Sequence, residues 1–397
     1  MSETIKVVIV DDDIDIAELL AEVVGMLGYA YEVHHSASHF LGQGECDADI
    51  VLLDLMLPDV DGIEVMRQLA KQRCAAALIL MSGQDQGVLH SATELATEHR
   101  LNVVASLGKP IPIRQLEDLL CAVAENIAVS VNRVFAESEA PITVADLDRA
   151  MAQGELLLHY QPQINLKDGT LHGVEALIRW QHPSRGLVPP GQFIPLAEAK
   201  QRMGGLTSIV INQAARQLRQ WQEQGVRIPI SINVSADNLS SLQLPEQLQQ
   251  LLQQHQLDPD LLTIEITESA LMREVNSALD TLTRLRLKSF QLSIDDFGTG
   301  YSSLIQLYRA PFTELKVDQR FIINMLKDRE AHVIVEICVL LGQKLGLQVV
   351  AEGIEDEETL KAVTALGCDI GQGFHLARPM PPDALAAWLQ CGAVPKS

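Results

Sequence analysis

The sequence predicts an α/β protein in two parts, a doubly wound parallel sheet followed by a barrel of the (β/α)8 kind. Three observations lead there. Short, continuous apolar runs recur along the chain, as expected for parallel strands buried on both faces. Stretches with helical spacing lie between them, the alternation of layered α/β folds. The chain has 397 residues, 47% of them hydrophobic, too many for one core to be the default.

Over residues 5–119 the runs "IKVVIV", "ADIVLLDL", "AALILMS" and "LNVVASL" read as strands, and "IAELLAEVVGML" and "DGIEVMRQLAKQ" as helices. Residues 122–142 read as a helical linker ending at Pro141. Beyond it come "LLLHYQPQINL", "LHGVEALIRW", "IPISINVS", "LLTIEITES", "FQLSIDDFG", "ELKVD", "LQVVAEGIE" and "CDIGQGFHL". Eight strands with helices between them suggest a closed barrel. The expected division is 1–121, a linker over 122–142, and 143–397.

A net charge of −22 opposes direct DNA binding and adhesion to anionic membranes, both of which need a basic surface. No apolar run is long enough to span a bilayer. The start, "MSETIKVVIVDDD", is acidic and lacks a signal-peptide pattern, so a cytoplasmic protein is expected. The six cysteines are scattered without a CxxC pair and read as reduced thiols.

In the first part the strand ends carry acids and their partners. The first strand runs into Asp11, Asp12 and Asp13, another ends at Asp54, the next at Ser82, and the last leads to Lys109. Polar groups at the carboxyl ends of parallel strands converge in one crevice. Clustered carboxylates there would bind Mg2+. Asp54 could then attack a phosphoryl group, with Ser82 bonding its oxygens and Lys109 neutralising them. Asp13 and Asp61 suit helix N-caps.

This set resembles a response-regulator receiver domain, a flavodoxin-like fold. The resemblance implies that Asp54 accepts phosphate from a histidine-kinase partner, that Asp11 and Asp12 hold one Mg2+, and that Ser82 and Lys109 complete the switch. Ser106 stands where the family usually places an aromatic switch residue.

The second part repeats the pattern. Glu175, Asn233, Glu265, Glu352 and Gln372 lie at or near strand ends, as do Lys316 and Asp318 in "ELKVD". In a parallel barrel such ends face the active rim. Carboxylate and amide oxygens suit Mg2+ or Mn2+. The adjacent Asp295 and Asp296 would repel one another unless cations held them, with Asp295 shared by two ions and Asp296, just past its strand, serving the second. Lys316 could hold or polarise an attacking water, and Arg179 could fork onto a phosphate. The residues thus point to a metal-dependent phosphoryl hydrolase.

The strings "YQPQ", Glu175-Ala176-Leu177, "NVS", "EITES", "DDFGTGYSSL", "KVD", "VVAEGIE" and "GQGFHLARPM" closely resemble the EAL-domain cyclic-di-GMP phosphodiesterases, over about 143–390. That resemblance implies a TIM-like barrel hydrolysing cyclic di-GMP to linear pGpG with two ions. Glu175, Asn233, Glu265 and Asp295 would hold one ion, and Asp295, Asp296 and Glu352 the other. Lys316 and Gln372 would orient the catalytic water, whose proton goes to Glu352 or is lost through the metals. Gln161, Arg179, Asp318 and Glu355 would contact substrate, although Glu355 equally suits an exposed helix start in "EDEE". Glu268 would brace the loop 297–304 or serve only as a helix N-terminal acid. Both families often self-associate, favouring a homo-oligomer, dimer or tetramer. The alternatives are a catalytically idle cyclic-di-GMP-binding sensor and a protein-interaction regulator.

Overall fold

A computed structural model describes residues 5–44, 46–83, 86–99, 101–136, 142–273, 275–299 and 304–390. The chain forms two compact units, Met1–Ala140 and Pro141–Ser397. The first holds five strands, β1 (Lys6–Val10), β2 (Ala30–His34), β3 (Ile50–Asp54), β4 (Ala77–Ser82) and β5 (Asn102–Gly108). All pair in parallel in the order β2-β1-β3-β4-β5. The central strands β3 and β4 are buried throughout, as their unbroken apolar runs require. Separate apolar clusters cover the two faces of the sheet.

Strand β2, "AYEVH", has no counterpart among the apolar runs of the sequence. It is an edge strand whose residues grade from exposed to buried, so one of its faces never had to be apolar. Asp13 and Asp61 are N-caps, accepting from the Ile16 and Glu64 amides at 3.2 and 2.9 Å. One helix, Ile113–Ala136, runs through the expected 121/122 boundary. Pro141, the expected end of the linker, lies outside the described residues.

In the second unit β6 (Leu156–Asn165), β7 (Leu171–His182), β9 (Ile230–Asn233), β10 (Leu262–Thr267), β11 (Gln291–Phe297), β12 (Glu314–Val317), β13 (Gln348–Ala351) and β14 (Ile370–Gly371) form a closed ring. A short strand, β8 (Gly186–Val188), hangs on β7. All eight expected barrel strands are present. Strand β6 runs antiparallel to both neighbours, β7 and β14, and the other seven are parallel. An apolar run specifies burial but not direction, so this reversal is invisible in the strings.

Helices such as Met203–Glu223 and Arg329–Leu345 bury one stripe each against the ring. The latter starts at Asp328, which caps the Glu330 amide, and stops at Gly346, whose φ of 71° is the left-handed turn that glycine adopts readily. The parallel strands therefore bring their carboxyl ends to one rim.

Candidate active site

On that rim the side chains crowd around one ammonium. Lys316 is wholly buried, and its Nζ lies 2.7 Å from Glu352, 3.0 Å from Glu265, 3.1 Å from Asp295 and 3.5 Å from Glu175. Asn233 donates from Nδ2 to Glu175 at 2.9 Å and to Glu265 at 3.3 Å. Gln372 donates to Glu175 at 2.6 Å and to Gln161 at 3.2 Å, and accepts from Gln163 at 3.0 Å. Gln161 in turn donates to the Ala377 carbonyl. Residues from all eight strands of the ring or their ends meet here, so none of these contacts is local in sequence.

Asp295 and Asp296 lie within β11 rather than at and past its end. Side chains of successive strand residues normally point to opposite faces. Here the β11–β12 register shifts between Ile294 and Phe297, and Asp296 has a φ of 54°. This irregularity re-aims Asp296, so that oxygens of Asp295, Asp296 and Glu352 all lie within 4.8 Å of one another. The Asp296 amide also donates to Asp295 Oδ1 at 3.0 Å.

The electrostatics follow from burial. Desolvation lifts Glu265 and Glu352 well above the usual carboxylate range; Lys316 opposes this and neighbouring carboxylates reinforce it. Burial, Asp295 and Asp318 push Asp296 up to about 7. Glu175 is also desolvated, but Lys316, Gln372 and Asn233 more than offset that and hold it low. Burial alone would lower Lys316, yet the surrounding carboxylates raise it well above its ordinary value.

One lysine cannot balance this set. Glu265 Oε1 is buried without a hydrogen-bond partner, and the acids outnumber the ammonium. Oxygen donors in excess negative charge fit hard divalent cations.

A cavity of about 240 Å3 opens over the cluster, lined by Gln161, Glu175, Asp295, Asp296, Glu352, Glu355 and Gln372 among others. Glu355 is exposed at its edge, one residue before the Asp356 that caps the next helix. Gln319 and Phe374 also line the cavity, and Phe374, 49% exposed, stacks under Arg378 at 4.3 Å. Sequence reasoning missed both, since single exposed side chains carry no pattern. A second cavity of about 440 Å3 reaches Asn233.

Asp318 is buried and caps Arg320 at 2.7 Å. Arg179 lies on the strand of Glu175, but its guanidinium turns to the Ile178 carbonyl at 2.9 Å, and it is not among the residues lining the smaller cavity. Glu268 opens the helix Glu268–Arg273, is buried, and accepts the Gly298 amide at 3.1 Å. It is therefore both a helix N-terminal acid and tied to the start of the loop after the paired aspartates. Residues 300–303 of that loop, Gly300 included, lie outside the described residues.

In the first unit Lys109 Nζ lies 2.5 Å from Asp54 and 2.8 Å from Asp11. Oxygens of Asp11, Asp12 and Asp54 lie within 4.8 Å of one another, a second cluster suited to a cation. Asp12 is exposed, whereas Asp11, Asp54 and Ser82 are buried, with Ser82 ending β4 beside them. Burial raises Asp11 above its ordinary value, against Lys109. Ser106 is exposed on the edge strand β5.

Residues 144–379, 59% of the chain, match the EAL domain. The chain belongs to the EAL family. Residues 7–120 match the response regulator receiver domain. A relative of similar length, the cyclic di-GMP phosphodiesterase RocR of Pseudomonas aeruginosa, is 33% identical over 84% of this chain and 84% of RocR. The bifunctional diguanylate cyclase/cyclic di-GMP phosphodiesterase MucR of the same organism is 43% identical over 61% of this chain but only 36% of MucR. A solved structure of the PaMucR phosphodiesterase in complex with c-di-GMP is 42% identical, with a TM-score of 0.59, covering 61% of this chain and 98% of that one. Among the described residues no helix is long and apolar enough to cross a membrane.

Proposed function

We propose that this protein hydrolyses cyclic di-GMP to linear 5′-pGpG at the EAL rim, under control of phosphorylation at Asp54. The observation that carries the reading is the convergence of Glu175, Glu265, Asp295 and Glu352 on Lys316 beneath an open cavity in an EAL barrel. In this reading residues 1–121 are the receiver, 122–142 a linker and 143–397 the phosphodiesterase.

Glu175, Asn233, Glu265 and Asp295 would hold one divalent ion, and Asp295, Asp296 and Glu352 a second, Mg2+ or Mn2+. When bound, such a pair supplies Lewis-acid charge at the phosphoryl group and acidifies water. Lys316 offsets the phosphate charge and, with Gln372, orients the attacking water. Glu352 faces the same cavity and accepts that water's proton. The Gln372–Gln161 bond joins the substrate-contacting side of the cavity to Glu175. Arg179, Asp318 and Glu355 complete the substrate contacts, Arg179 after leaving the Ile178 carbonyl. Glu268 fixes the start of the loop through Gly298.

In the receiver, Asp54 is the phosphoacceptor for a histidine kinase, Asp11 and Asp12 hold Mg2+, and Ser82 and Lys109 bind the phosphoryl oxygens. The protein would work in the cytoplasm as a homo-oligomer. The test is chromatographic detection of pGpG from purified protein, cyclic di-GMP and Mg2+. Tight binding without product would instead make the barrel a sensor, and neither binding nor product would favour an interaction protein.

A further inference from the structure

Far from Asp54, at the opposite pole of the receiver sheet, two cysteines meet. Cys46 lies in the segment leading into β3 and Cys74 in the segment leading into β4, neighbouring parallel strands, so both sit at the amino ends of the sheet. Both are half-buried against the same apolar cluster. Their thiols are in hydrogen-bond contact. A cavity of about 170 Å3 opens beside Cys46, with Lys6, Glu32, His34 and Asp47 in its wall. Nothing in the phosphoryl or phosphodiester chemistry uses this pair.

We infer that Cys46 and Cys74, both only half-buried and Cys46 also open to that cavity, are a peroxide-oxidisable dithiol that closes to a disulfide. The thiol–thiol bond leaves one sulfur as the better nucleophile. Cys46 donates to Cys74, which lowers the Cys74 thiol and raises that of Cys46, and the Ala76 amide adds to the lowering. The Cys74 thiolate attacks one oxygen of hydrogen peroxide, the O–O bond breaks, and hydroxide leaves to become water. The resulting sulfenic acid is attacked by the Cys46 sulfur; the S–O bond breaks and a second water departs with the thiol proton. Two thiols thus lose two electrons and two protons, and one peroxide becomes two waters. The bridge would close residues 47–73, with Asp54 among them, into a loop.

The test treats the full-length reduced protein with limiting hydrogen peroxide, alkylates the remaining thiols, and maps peptides by mass spectrometry. Half-buried Cys121 serves as internal reference. The expected result is a Cys46–Cys74 linked peptide, about 2 Da lighter than its reduced parts, reversed by dithiothreitol and formed about tenfold faster than Cys121 is oxidised. In Cys46→Ser the linked peptide disappears and Cys74 becomes labelled by dimedone as its sulfenic acid, a readout that needs no change in fold. Equal oxidation of Cys74 and Cys121, or Cys74 passing to sulfinate in the wild type without a bridge, would overturn the inference.

Discussion

Lys316 Nζ lies 2.7 Å from Glu352 Oε1, and the lysine is wholly buried. A buried ammonium is tolerable only with such partners, and these partners are tolerable only with it or with cations. Lys316→Ala should therefore lower kcat by about 10²–10³-fold, the scale of losing one preorganised charge stabiliser. It should also destabilise the metal-free protein by about 3–5 kcal/mol, as uncompensated buried charges are exposed to one another. Added Mg2+ should recover part of the lost Tm. Thermal melts with and without Mg2+, beside steady-state rates, check this; a variant with normal rate and melting point would contradict it.

The raised Glu265 and Glu352 make metal binding a proton-releasing event. Without metal, the folded protein holds protons that the unfolded chain gives up above about pH 4.3. Its stability therefore falls as pH rises from the unfolded carboxylate range towards the raised folded values. Lys316 acts in the same direction at higher pH: its contribution is complete below its unfolded pKa and is lost only as pH rises through its still higher folded value. Cations compete with the carboxyl protons, so Mg2+ affinity should rise with pH across the same window. Calorimetric titration near pH 6 in two buffers of different protonation enthalpy should show buffer-dependent heats. Identical heats would contradict the account.

Glu268 ties the Gly298 amide, and through it the strand that carries both aspartates. Glu268→Ala should reduce kcat by about tenfold, the low end of what misplaced groups cost a reaction. Glu268→Gln, which keeps an acceptor oxygen, should recover much of the rate. Equal rates for the two variants would remove the hydrogen bond from the explanation.

Asp54 is held by Lys109 at 2.5 Å in a cluster with Asp11. Asp54→Asn should abolish acid-labile phosphate after treatment with acetyl phosphate and Mg2+, and should make the phosphodiesterase rate indifferent to the phosphodonor. Label retained in the variant would place the acceptor elsewhere.

Much of this was legible because burial writes itself in apolar runs. All eight barrel strands and their polar ends could be read that way, and Glu175, Asn233, Glu265 and Lys316 meet because parallel strands end on one rim. Other features belong to the tertiary level. Strand β2 is half-exposed and leaves no run, and nothing in "LLLHYQPQIN" encodes that β6 is reversed. The same-side placement of Asp295 and Asp296 depends on a register shift and a φ of 54°, which alternation alone does not anticipate. Gln319, opening the helix Gln319–Asn324, and Phe374, in a turn, reach the cavity only because of where those segments fold, and Cys46 and Cys74 adjoin only because β3 pairs with β4.

The most direct measurement is the rate of pGpG release from cyclic di-GMP by the purified full chain, with Mg2+ or Mn2+, with EDTA, and for Glu175→Ala. The account predicts steady turnover with either cation, none above background with EDTA, and a loss of at least about 10³-fold in the variant. Undiminished pGpG production in EDTA, or by Glu175→Ala, would contradict it.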